Sequence, residues 1–138
     1  MCKNKHPKVI KIGLDLHGVI DSMPEFFSIF TKAIIESKGE IHIITGGATE
    51  KDKQLLKEYD IKYTHFFSIV DYHIEIGTPT SGTHTKYGFE KISDEEWDKT
   101  KGEYCKLNEI DMHIDDTTVY NDFFTTPFCR MWTNKKID

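Results

Sequence analysis

At 138 residues, with 38% apolar, 12% aromatic and 30% charged side chains, the chain has the length and composition of one soluble globular domain, not of a disordered segment. Eighteen Lys and Arg against 23 Asp and Glu give a net charge of −5, which argues against bulk electrostatic binding of nucleic acid. No apolar run approaches the roughly 18 residues of a membrane span, and three cysteines without a CxxC pair argue against a disulfide framework or a cysteine zinc site. The expected setting is a reducing cytoplasm with no membrane contact.

In chain order, residues 9–16 form an apolar, β-rich run that predicts a first strand. Pro24-Glu25 opens a helix, with Phe26, Phe27, Phe30 and Ile34 at helical spacing and Gly39 at its end. Residues 41–45 predict a second strand, Thr49 begins a second helix with Leu55, Leu56 and Tyr59 along one stripe, and residues 63–70 predict a third strand. Residues 71–92 show no clean period and hold Gly77, Pro79, Gly82 and Gly88, so a long loop or small insertion near the site is expected. Ser93-Asp94-Glu95-Glu96 is a capping box that starts a helix running to about residue 109. Residues 111–115 predict a fourth strand and residues 127–132 a last, edge strand. Strands separated by helical patterns imply a three-layer α/β/α, Rossmann-like fold: a parallel sheet covered on both faces, in a single domain spanning the chain.

In such sheets ligands bind beyond the carboxyl ends of the strands. Three predicted strands end there in chemically capable residues: Asp15, Thr45, and the pair Asp115-Asp116. Adjacent carboxylates after a buried strand repel unless a cation or donor compensates them. Three converging carboxylates call for a hard divalent cation, and Mg²⁺ prefers oxygen ligands and phosphate. Thr45-Gly46-Gly47 supplies a hydroxyl and backbone N–H groups just before a helix, which suits a phosphoryl group. A lysine is expected to balance phosphate charge. From Lys101 the helix descends roughly 12 Å and the next strand climbs roughly 13 Å, so Lys101 stands level with Asp115; Lys91 and Lys106 are the alternatives.

Other signatures fail. Gly13 and Gly18 have P-loop spacing, but Val19 stands where Lys is required, and Gly77 and Gly82 are followed by Thr83. His42 and His113 fall inside strands and read as core residues, whereas His65, His73 and His84 could gather near the insertion. Arg130 is the only arginine, which excludes a large bidentate phosphate-reading surface.

The run Leu14-Asp15-Leu16-His17-Gly18-Val19-Ile20, then Ile43-Ile44-Thr45-Gly46, Lys101, and His113-Ile114-Asp115-Asp116 resembles the four motifs of the haloacid dehalogenase (HAD) superfamily over about residues 8–120. A response-regulator receiver also combines Asp, Thr and Lys, but in a different strand order. The resemblance implies a Mg²⁺-dependent phosphomonoester hydrolase with Asp15 as nucleophile. Thr45 and Gly46 would bind the phosphoryl group, and Lys101 would stabilise charge. Asp15, the main-chain carbonyl of His17, Asp115 and Asp116 would be the metal ligands. Family phosphatases carry a second Asp as general acid and base where this chain has His17, and histidine, with an unperturbed pKa near 6.5, can do that work. The implied partner is a phosphorylated substrate: a nucleotide, sugar phosphate, phosphoprotein or, for nucleic acid, only a phosphorylated end. The alternative is an impaired site that binds Mg²⁺, phosphate or a protein partner without turnover.

Overall fold

A computed structural model describes residues 8–82 and 91–131. Five strands, β1 (Lys11–Leu14), β2 (Glu40–Thr45), β3 (His65–Ser68), β4 (Met112–Asp115) and β5 (Phe128–Arg130), form one all-parallel sheet in the order β3-β2-β1-β4-β5. The helices among the described residues are α1 (Pro24–Glu36), α2 (Thr49–Glu58), α3 (Ile69–Ile76) and α4 (Asp94–Leu107). The result is the expected single-domain, Rossmann-like α/β fold. None of these helices is long and apolar enough to cross a membrane.

Alternation along the strands divides the core. Ile12 and Leu14 of β1 and Ile41 and Ile43 of β2 pack with Phe27 of α1 and Leu56 of α2. Ile44, one residue out of phase, packs on the other side with Cys105 of α4 and Ile110. Parallel strands require helical crossovers, so α1 and α2 carry the chain outward on one face. Then α3 and α4 return it across the opposite face to β4. The strand order therefore reverses between β1 and β4, and their carboxyl ends flank the crevice where such sheets bind ligands.

Several local expectations change. The first strand is shorter than residues 9–16, with Val9 and Ile10 exposed, and the third ends at Ser68 instead of residue 70. The segment 71–92 is not all loop: its first residues continue α3, and residues 83–90, with His84, lie outside the described residues. The apolar run 66–70 conceals this switch because one run supplies both strand and helix. Ser68 decides it by accepting a hydrogen bond from the Asp71 N–H as N-cap, and Gly77, at φ 72°, closes the helix. On α1 the buried stripe is Phe27 and Thr31; Phe26 is exposed and stacks on Phe30. The last strand pairs only with β4, at the sheet edge.

Candidate functional site

β1 and β4 run side by side in register, Gly13 opposite His113 and Leu14 opposite Ile114. Asp15 and Asp115 consequently leave the sheet together. Both are buried, and α4 brings Lys101 between them: its Nζ lies 2.8 Å from Asp115 Oδ2 and 3.2 Å from Asp15 Oδ1. Lys101 is itself buried, with the Tyr120 ring centroid 4.8 Å from its ammonium. Lys91, by contrast, pairs among the described residues with the exposed Asp94, and Lys106 is exposed. Helix descent and strand climb thus select Lys101 from the three lysines.

Asp115 is fully bonded on its inner side. Oδ2 accepts from Lys101 and from His113 Nε2 at 2.9 Å, and Oδ1 accepts from the Asp116 N–H at 2.9 Å. Burial opposes its charge, but the His113 hydrogen bond and the Lys101 ammonium outweigh it and hold the carboxyl well below the ordinary range. Burial pushes the His113 pKa down against the opposing hydrogen bond to Asp115, which Nε2 faces. Lys101 is held above the usual lysine value, because Asp15 and Asp115 overcome the cost of burying it.

Asp15 is less well compensated. Its Oδ1 accepts from the Leu16 N–H at 3.0 Å and faces Lys101, whereas no donor among the described residues reaches Oδ2. Burial pushes the carboxyl up to about 7, against the pull of Lys101 and with the added repulsion of Asp115. Asp116, on the exposed side, is also raised, by burial and then by its bond and repulsion with Asp115.

Asp15, Asp115 and Asp116 each offer an oxygen within 4.8 Å of the others. When all are ionised, three carboxylates facing one ammonium leave two negative charges (−3 + 1 = −2). An all-oxygen donor set of this charge fits a hard divalent cation, whose neighbouring ligands stand about 3 Å apart. Gly18 makes the close approach possible. Its φ is 87°, and a Cβ there would lie 2.1 Å from Asp116 Oδ2. No described donor bonds the main-chain carbonyl of His17.

Thr45 lies on the other face of the sheet from Ile44. Its hydroxyl donates to Asp52 Oδ2 at 2.7 Å and accepts from the Gly47 N–H at 3.1 Å. Asp52 Oδ1 in turn meets His17 Nε2 at 3.0 Å, and Asp21 Oδ2 lies 3.7 Å from His17 Nδ1. The bond to Asp52 is the main reason that the His17 pKa is raised. Gly46 lies against Trp97, where a Cβ would stand 2.8 Å from the indole.

Two residues here escaped the sequence reading. Asp52 sits in the first turn of α2, where an acidic residue ordinarily serves the helix dipole; its full burial is the distinguishing feature. Tyr120 belongs to the β4–β5 connection, and nothing local marks it. Of the histidines expected near the insertion, His65 and His73 share no partner among the described residues, and His84 lies outside them. His73 bonds Thr78 and Thr100, while His65 stacks on His42 with centroids 4.0 Å apart and planes within 1°. Glu40 lies beside that pair at the start of β2. Glu40 Oε1 lies 2.8 Å from His42 Nε2 and 3.8 Å from His65 Nδ1, so the three groups gather within 4.8 Å of one another, although the other His42 nitrogen is bonded to Tyr104.

No family model, curated protein or solved structure matches the chain.

Proposed function

We propose that this protein is a Mg²⁺-dependent phosphomonoester hydrolase of the HAD type, working through an aspartyl-phosphate on Asp15. One observation carries the reading. Asp15 has one oxygen held by the Leu16 N–H and Lys101 and the other without a donor among the described residues, beside two further carboxylates at the strand-order reversal. That is what a carboxylate nucleophile needs: a fixed orientation and an unencumbered attacking atom. Asp15, Asp115, Asp116 and the His17 carbonyl would hold Mg²⁺, which would supply charge neutralisation of the phosphoryl oxygens.

The chain's own groups then account for each bond. Asp15 Oδ2 attacks phosphorus, the bond from phosphorus to the leaving oxygen breaks, and protonated His17 gives that oxygen its proton. Neutral His17 takes a proton from water as the water oxygen bonds to phosphorus. The bond from phosphorus to Asp15 breaks, inorganic phosphate departs, and both side chains are restored. Lys101 steadies the charge on Asp15 throughout. The Thr45 hydroxyl is shared with Asp52, so a phosphoryl oxygen must compete for its proton. The Gly46 backbone supplies the neighbouring contact. The proposed substrate is a phosphorylated molecule, and a reducing, cytoplasmic setting suits the free Cys105 and Cys129.

The test is turnover of an aryl phosphate with and without Mg²⁺, using Asp15→Asn as control, followed by borohydride trapping of the acyl phosphate. Mg²⁺-dependent hydrolysis with the label on Asp15 is expected. A binding-competent but inert wild type would favour the impaired site, and label elsewhere would reject Asp15.

A further inference from the structure

Asp52 is a fully buried carboxylate that joins two residues from different strands. His17 follows β1 and Thr45 ends β2, yet both bond the same side chain, one to each oxygen. Its position is built around it: at Gly47, whose backbone passes beside the carboxylate, a Cβ would stand 2.2 Å from Oδ2. A residue serving only the α2 dipole has no need of such enclosure, because first-turn acids do that work from the surface.

We propose that Asp52 is a positioning residue for the acid–base step, an extension that rests on the hydrolase reading above. A carboxylate can only accept, so the nitrogen facing it, Nε2, carries the proton. When the ring is neutral, Nδ1 is therefore the atom with the free lone pair. Nδ1 makes no hydrogen bond among the described residues, and the nearest acid there, Asp21, stands off at 3.7 Å. Asp52 thus fixes both the tautomer and the direction of His17, so that all proton exchange with leaving group and water runs through Nδ1. The same carboxylate holds the Thr45 hydroxyl, and so sets the distance between the phosphoryl-binding strand end and the proton carrier.

Two measurements separate this proposal from the reading beneath it. In a ¹⁵N spectrum of the wild-type protein, taken where the His17 ring is neutral, Asp52 predicts the Nε2–H tautomer alone. Asp52→Asn should admit the Nδ1–H form, while Asp21→Asn should leave the tautomer unchanged. A mixed-tautomer ring in the wild type overturns the proposal whatever the catalytic result. In kinetics on an alkyl phosphate, Asp52→Asn should lower kcat by about 10²-fold or more with little change in KM. The Asp52→Asn/His17→Ala double variant should be scarcely slower than His17→Ala, because both act through one group. Losses that multiply, or a rise in KM alone, would overturn the positioning role. A wild type with the locked tautomer but no turnover would leave Asp52 as the residue that orients His17 and would reject the hydrolase reading.

Discussion

Lys101 and Asp115, separated by 14 residues in the chain, form an ion pair of 2.8 Å with both side chains buried. Burying a lysine this way is costly unless its charge is met on more than one side, and here Asp15 completes the enclosure. The lysine is therefore a part of the fold as much as of the site.

Removing it should cost both. Lys101→Met keeps length and apolar bulk but leaves Asp15 and Asp115 facing each other without their shared cation. A loss of about 3–5 kcal/mol is expected by denaturant unfolding at neutral pH, shrinking on acidification as the unpaired acids take up protons. Lys91→Ala and Lys106→Ala, at exposed positions, should stay within about 0.5 kcal/mol. Equal effects for the three lysines would mean that the buried triad does not exist.

In the proposed reaction, substitution of His17 separates proton transfer from phosphoryl transfer. His17→Ala should lose about 10²–10⁴-fold in kcat on alkyl phosphates. It should lose much less on aryl phosphates, whose leaving group hardly needs a proton. A matched loss on both substrate types would make His17 a residue that only shapes the loop. Strong activation by His17→Asp of a nearly inert wild type would show that the native site is impaired.

Gly18→Ala tests the approach of Asp116. The left-handed φ of 87° strains any L side chain by roughly 1–2 kcal/mol. The added Cβ would also overlap Asp116 Oδ2. Lower Tm and weaker Mg²⁺ binding by calorimetry should appear together. Weakened stability with unchanged Mg²⁺ affinity would remove Asp116 from the ligand set.

His73 provides a pH dependence away from the strand ends. Its two nitrogens bond Thr78 and Thr100, tying α3 to α4, and burial lowers its pKa below 6.5 despite the opposing charges of Glu96 and Glu103. The unfolded chain then takes up a proton on this ring at higher pH than the folded chain does. The His73 contribution to stability is accordingly full above about 6.5 and declines as pH falls from there through the folded value. His73→Gln, which can still bond both hydroxyls, should flatten that part of the stability profile. An unchanged slope would assign the acid sensitivity to other groups.

Apolar runs, the capping box at Ser93 and the polar residue closing each run are local signals. They were sufficient for the alternating elements, for the parallel sheet, and for naming Asp15, Lys101 and the Asp115-Asp116 pair as neighbours. Lys101 was legible because helix rise and strand rise are constants, so a lysine can be levelled against an acid across one turn. What the sequence left undecided depends on contacts between distant segments. The run 66–70 reads as strand under one period and as helix under another, and the Ser68 cap with α3 packing against α4 resolves it. Asp52 looks like any first-turn acid until α2 is laid against the β1 and β2 ends, where burial leaves His17 and Thr45 as its partners. Tyr120 acquires significance only when the β4–β5 connection folds over Lys101. Hydrophobic period and backbone geometry repeat along the chain and can be read from it, whereas the partner of a buried charge is chosen by whatever the fold places across the sheet.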